Sequence, residues 1–203
     1  MENDNTLVQL VTAKVMRQLS QQSVVIHPQK TQSPYKALVI FTGGTIGLDQ
    51  GLKEIQKIQD HAEVTVVLSE AAEKIIGMDK VKEQLGSHVP IVTTQASFPK
   101  RALQEADILI VPVLTQNTAA KLAYTLSDTM VSTLILQGLM RGIPVVAAYN
   151  AADPLDNWRV QSNMGKASPR LLQALQGNLQ KLAGYGMRLV ESASLAMESQ
   201  KLL

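Results

Sequence analysis

Short apolar runs, each closed by a small polar residue or glycine and each followed by a helical pattern, recur along this chain. KALVIF (36–41), EVTVVL (63–68), a segment near HVPIVT (88–93), ADILIVPVL (106–114), IPVVAAYN (143–150) and MRLVES (187–192) read as six strands. Between them the apolar residues return every three or four positions, as in Leu48, Leu52, Ile55 and Ile58. That spacing is one face of a helix. Further helices are expected over SEAAEKII, DKVKEQL, FPKRALQEA, residues 116–127, residues 128–141, and SPRLLQALQGNLQKLAGYG. In the last of these, Leu171, Leu172, Leu175, Leu179 and Leu182 should face inward. Strand and helix in alternation predict a three-layer α/β domain: a parallel sheet of about six strands with helices on both faces. Crossovers should be right-handed. The run 106–114 is the most apolar and belongs at the centre.

In an open parallel sheet, ligands bind outside the carboxyl ends of the strands, where the strand order reverses. Three such ends carry suggestive residues: Gly43, Gly44 and Thr45 after the first strand, Ser69 after the second, and Thr115, Asn117 and Thr118 after the fourth. FTGGTIG suits an anion, because glycines admit a close approach and the next helix presents free N–H groups. It lacks the Gly-Lys-Ser/Thr ending of a Walker motif and the spacing of G-x-G-x-x-G. A plain glycine turn is the competing reading. Ser69 can donate to a phosphate or cap the helix after it. Glu70, where a dinucleotide site would want a ribose-binding carboxylate, stands one residue late. Asn117 offers a donor and an acceptor to a ligand, or caps its own helix. Lys121 reads as structural, and Asp128 as the cap of the helix at 128–141.

Composition narrows the classes. A net charge of +2 with 3% aromatic residues and no Lys/Arg stripe gives no footing for nucleic acid. There are no cysteines, so disulfides, thiolate metal sites and cysteine nucleophiles are excluded, and a reducing cytoplasm fits. Three scattered histidines, His27, His61 and His88, lack metal-ligand spacing. No apolar run reaches the ~18 residues of a membrane span. No secretory leader is expected either, because LVQLVTAKVMRQL is broken by polar residues.

Two regions are expected: an arm over residues 1–35 and the domain over 36–203. In the arm, Leu7, Val8, Val11, Val15 and Leu19 form one helical face, with Asn5 or Thr6 as its cap, and a Pro/Gln linker follows. This arrangement resembles the encapsulation peptides of bacterial microcompartments, which dock to shell or cargo through such a face. Residues 6–20 would make the contact. A helix packed on a neighbouring subunit is one alternative; a membrane-surface helix is the other, disfavoured because Lys14 and Arg17 are its only cations and no aromatic residue anchors it. The segment 155–169 reads either as a lid that brings Trp158 and Arg159 to a ligand, or as a surface loop with Trp158 in a subunit contact.

TGGTIG, VVLSEAA, DILIVPVLTQNTAAKLAYTLSD and GIPVVAAYNAADP, in this order, resemble the flavoprotein superfamily. It includes the flavin-containing cysteine decarboxylases, the prenyl-flavin synthases and the second subunit of dipicolinate synthase. Pro112, Asn117, Thr118 and Lys121 fall on the decarboxylase pattern Pro-Ala-x-x-Asn-Thr-x-x-Lys, with Val113 for Ala and one residue more before Asn. The resemblance implies a flavodoxin-like sheet with FMN at a subunit interface, in trimers or multiples of trimers. Gly43, Gly44 and Thr45 would hold the phosphate, Ser69 would assist, and Thr115, Asn117 and Thr118 would face the ribityl chain or ring. The decarboxylases also place a His between the third strand and the Asn segment; TTQASFPKRALQEA has none, and AAYNAADP has no Met before Asn150. Cysteine decarboxylation is therefore disfavoured. Three readings stand: an FMN-dependent redox protein, a dipicolinate-synthase-like or NAD(P)H-dependent reductase subunit, and a non-catalytic flavin carrier.

Overall fold

The structure, a computed structural model, describes residues 34–203, which form one compact unit. The amphipathic face expected at residues 7–19 lies outside the described residues. Tyr35, assigned above to the linker, already opens the first strand.

The order of elements is β1 (Tyr35–Phe41), α1 (Leu48–Gln59), β2 (Ala62–Leu68), α2 (Glu70–Ile75), α3 (Met78–Leu85), β3 (Ile91–Val92), α4 (Lys100–Glu105), β4 (Ile108–Val113), α5 (Gln116–Ala123), α6 (Met130–Met140), β5 (Val145–Ala148), α7 (Asn157–Gln161), α8 (Pro169–Gly184), β6 (Arg188–Val190) and α9 (Leu195–Gln200). The six strands form one sheet in the order β3-β2-β1-β4-β5-β6, and every pair is parallel. This is the expected flavodoxin- or Rossmann-like architecture.

Two apolar layers sandwich the sheet because side chains alternate along each strand. Ala37, Val39 and Phe41 of β1 face α1, α2, α3 and α9, through Leu52, Ile55, Ala72, Val81 and Leu195. Leu38 and Ile40 face the other way, toward Leu103 of α4, Leu122 of α5, Leu134 of α6 and Leu182 of α8. Each Val, Leu, Ile or Phe side chain among these contributes about 1.5–3 kcal/mol on removal from water.

One irregularity positions the site. β4 carries Pro112, which has no N–H for the ladder. The register of β1 on β4 shifts there, from Val39↔Ile110 to Phe41↔Val113. The extra residue is a bulge, which re-aims the end of the strand. Above it, Thr42 rebuilds the link: its hydroxyl donates to the Val113 carbonyl and accepts from the Thr115 N–H at 3.1 Å.

Two expectations change. Leu182 is fully buried and Leu172, Leu175 and Leu179 are half-buried, but Leu171 at the start of α8 is 51% exposed. Periodicity defines a face without saying how far it is covered. Asp128 does not cap α6. Thr129 does, in a capping box with Ser132, and α6 begins two residues later than expected.

Candidate functional site

The strand order reverses between β1 and β4, so the switch point lies above these two strands. Two cavities open at this edge of the sheet. The first, about 460 Å³, is walled by Gly43, Ser69, Thr115, Asn117, Thr118 and the first turn of α6, among others. The second, about 420 Å³, is walled by Thr45, Gly47, Asn150, Asp156, Trp158 and Glu191, among others. The predicted residues thus divide. Five meet in the first cavity, and Thr45 lies on the second. Gly44 stands between, since a Cβ there would come 2.8 Å from Thr115 Cγ2, 3.1 Å from Val113 Cγ1 and 3.7 Å from Ala151 Cβ.

Close approach explains both glycines, since neither has a positive φ. A Cβ on Gly43 would sit 2.3 Å from Ala71 Cβ and 2.9 Å from the Ala71 carbonyl carbon. The β1 loop therefore threads between the start of α2 and Thr115. α1 begins only at Leu48, entered through Gly47 at φ 77, so its N-terminal turn faces the second cavity rather than Ser69.

In the first cavity, hydroxyls and helix starts converge. Ser69 caps α2 by accepting from the Ala72 N–H at 3.0 Å and also lines the cavity, so its two readings coexist. Thr115 caps α5: its Oγ1 accepts from the Thr118 N–H at 3.4 Å and donates to Thr118 Oγ1 at 3.1 Å. The N–H groups of Gln116 and Asn117 belong to the same first turn and have no intrahelical partner. Asn117 itself is exposed on the wall rather than capping the helix. Glu70 lines the cavity, but Lys74 holds it at 2.6 Å and lowers its pKa, first through the hydrogen bond and then through charge. Lys121 reaches Asp128 at 2.8 Å; that hydrogen bond is the main cause holding the Asp128 carboxyl below its ordinary range.

Five linings were not singled out in the sequence: Ala71, Thr94, Thr129, Met130 and Val131. Thr94 stands two residues past β3, on the strand-end rule already applied to the other strands, and both its N–H and hydroxyl donate to Glu73. Met130 and Val131 of α6 add an apolar wall. Only the α5–α6 turn brings that helix start over the site.

The second cavity has another character. Asn150 Oδ1 accepts from the Ser192 N–H and from Ser192 Oγ, both at 2.8 Å, and its Nδ2 donates to Asp156 at 3.2 Å. Its amide is consumed in tying β5 to β6. Arg159 turns back to donate to the Ala151 carbonyl at 2.7 Å, while Trp158, 51% exposed, lines the cavity. The phenol of Tyr149 beside it is pushed up, mainly by burial and then by the charges of Glu191 and Asp153. His61 and His88 are exposed and precede β2 and β3, at the opposite edge of the sheet. Among the described residues no group of acidic or imidazole side chains could hold a metal ion, and no helix is long and apolar enough to cross a membrane.

Solved structures share the fold. DmrB of Burkholderia xenovorans, described as a cubic protein cage for redox transfer, aligns with a TM-score of 0.63 at 19% identity, covering 84% of this chain and 98% of its own. The FMN-dependent cysteine decarboxylase TvaF of thioviridamide biosynthesis aligns at 0.61 and 19% identity, covering 82% and 96%. A PPC decarboxylase aligns at 0.60 and 18% identity, covering 84% and 97%. Among curated proteins, none matches this sequence. The family model described as Flavoprotein matches residues 25–178, three quarters of the chain and both walls of the first cavity, and this chain belongs to the Flavoprotein family.

Proposed function

We propose that this chain binds FMN in the first cavity and serves as a redox flavoprotein. The observation that carries the reading is the convergence of the starts of α5 and α6 with the hydroxyls of Ser69, Thr115 and Thr118 on one cavity at the switch point. Its volume, about 460 Å³, lies within the roughly 300–1,000 Å³ usual for small-molecule sites. The donor set fits the group. Ser69 and the unpaired N–H groups of the α5 turn suit a phosphate, Asn117 suits a ribityl hydroxyl or a pyrimidine edge, and Met130 and Val131 suit a ring face. Bound FMN would supply one- or two-electron transfer; the protein's part is to hold it, tune its field and exclude water.

Decarboxylation has less support, because no histidine stands at this edge of the sheet among the described residues. A nicotinamide dinucleotide also fits less well, because Glu70 stands one residue past the strand-end position that would hold a ribose. We assign the protein to a homo-oligomer, a trimer or a multiple of trimers. The support is the exposed apolar side chains of Tyr124, Leu171 and Tyr185 and the cage described for the DmrB neighbour. Residues 6–20 would carry the assembly to a microcompartment shell or to its cargo.

The test is direct. Purified protein should be yellow, release FMN on denaturation, and lose most of that flavin in Asn117→Ala. Colourless protein that NADPH, but not FMN, protects against thermal unfolding would replace this reading with the reductase one. For the arm, residues 1–22 fused to a fluorescent protein should co-purify with compartment shells, and a diffuse signal beside those shells would remove the docking role.

A further inference from the structure

We infer that Asp128 sets the charge selectivity of the flavin site by restraining Lys121, and so governs how strongly the site prefers a phosphorylated flavin to riboflavin. This rests on the FMN reading above.

Lys121 is the one cationic side chain that lines the first cavity among the described residues. Of the two carboxylates on the wall, Glu70 is neutralised by Lys74 at 2.6 Å, which leaves Asp128 to act on Lys121. The pair is asymmetric: the Lys121 side chain is 22% exposed and the Asp128 side chain 57%. The Lys121 side chain is therefore the more sheltered partner, its stem packed on the wall, and Asp128 is the more exposed one. As long as they are paired at 2.8 Å, the wall presents little net charge to a phosphate, and the helix starts must supply the attraction.

The turn between α5 and α6 brings the two residues of this pair together. α5 stops at Ala123, and Thr125 takes φ 57, a conformation a β-branched residue rarely adopts. The Leu126 N–H then returns to the Lys121 carbonyl at 2.8 Å, and Thr133 Oγ1 fastens the Ser127 carbonyl at 3.2 Å. These bonds seat Asp128 beside a lysine seven residues earlier. As Thr129 already caps α6, Asp128 is not needed for that task.

The experiment measures dissociation constants of FMN and of riboflavin by flavin fluorescence, on the full-length protein stripped of flavin, for wild type, Asp128→Asn and Lys121→Gln. Asp128→Asn frees the ammonium and should tighten FMN by about three- to tenfold, the effect of one unmasked charge across a partly wet cavity. Lys121→Gln should weaken FMN by a similar factor. Riboflavin, which lacks the phosphate, should move less than twofold in both. Equal shifts for the two flavins, or an FMN-to-riboflavin ratio that Asp128→Asn leaves unchanged, would overturn the inference. If Asp128→Asn does not fold, Lys121→Gln decides alone on the same ratio. Wild-type protein that takes up neither flavin would remove the FMN reading itself, and this inference with it.

Discussion

The two cavities lie at one edge of one sheet, share the β1 loop and are of similar volume, yet they differ in the side chains that they present. The first gathers helix starts, hydroxyls, an exposed amide and a lysine. The second is edged by Asp156 and Glu191, and both amides on its wall have partners: Asn150 binds Ser192 and Asp156, and Gln50 Nε2 donates to Glu54 at 3.0 Å. On the function proposed above, position at the carboxyl end of a parallel sheet is not enough to make an anion site. What counts is whether the polar groups there are still available.

The comparison can be broken at several points. The largest effect is expected from Gly43→Val, because its Cβ would meet Ala71 Cβ at 2.3 Å and the Ala71 carbonyl carbon at 2.9 Å. Overpacking of this kind costs about 1–3 kcal/mol, so thermal unfolding should shift markedly downward and the first cavity should lose FMN. Next come the two amides. Asn117→Ala should weaken FMN about tenfold, roughly 1.4 kcal/mol, and leave the melting temperature nearly unchanged. Asn150→Ala should do the reverse: it strips the Ser192 N–H of its acceptor, at about 1–3 kcal/mol for an unsatisfied buried group, while FMN titration stays within twofold. If Asn150→Ala released the flavin instead, the assignment of the ligand to the first cavity would fail.

Trp158→Ala sharpens the same contrast with a smaller effect. FMN affinity should change less than twofold, and a large loss would place the ring against the second cavity. The smallest effect concerns pH. The Asp128 pKa is lowered in the fold from its ordinary 3.8, chiefly by the Lys121 hydrogen bond. The pair's contribution is therefore present above that value and is lost as pH falls through the depressed one. The slight difference in melting temperature between wild type and Asp128→Asn at neutral pH should begin to shrink below about pH 3.8 and vanish once the pH has fallen through the depressed value.

Much of the fold was legible because burial on both faces forces long apolar runs. ADILIVPVL could be little else than a central strand, and β4 stands between β1 and β5. The cavity residues after β1, β2 and β4 were legible by the strand-end rule alone. Other parts were not. α9 went unread because LAMESQ is too short to show a period; it is anchored by Glu54, a buried carboxylate on α1 that accepts from the Ala196 N–H at 3.1 Å. The separation of Thr45 from Gly43 was hidden as well, because no local pattern shows that Gly44 passes against Thr115.

Residue order alone determined the alternation of elements, the two-faced sheet and the set of polar groups delivered to its carboxyl edge, because periodicity and strand direction are local properties of the chain. Tertiary structure alone decided which of those groups stay free. Whether Asn117 faces a cavity while Asn150 is consumed, and whether Lys121 meets Asp128, depends on bulges, turns and close approaches between segments far apart in the chain. Those are settled by the competition for partners in the packed molecule, which no single segment encodes.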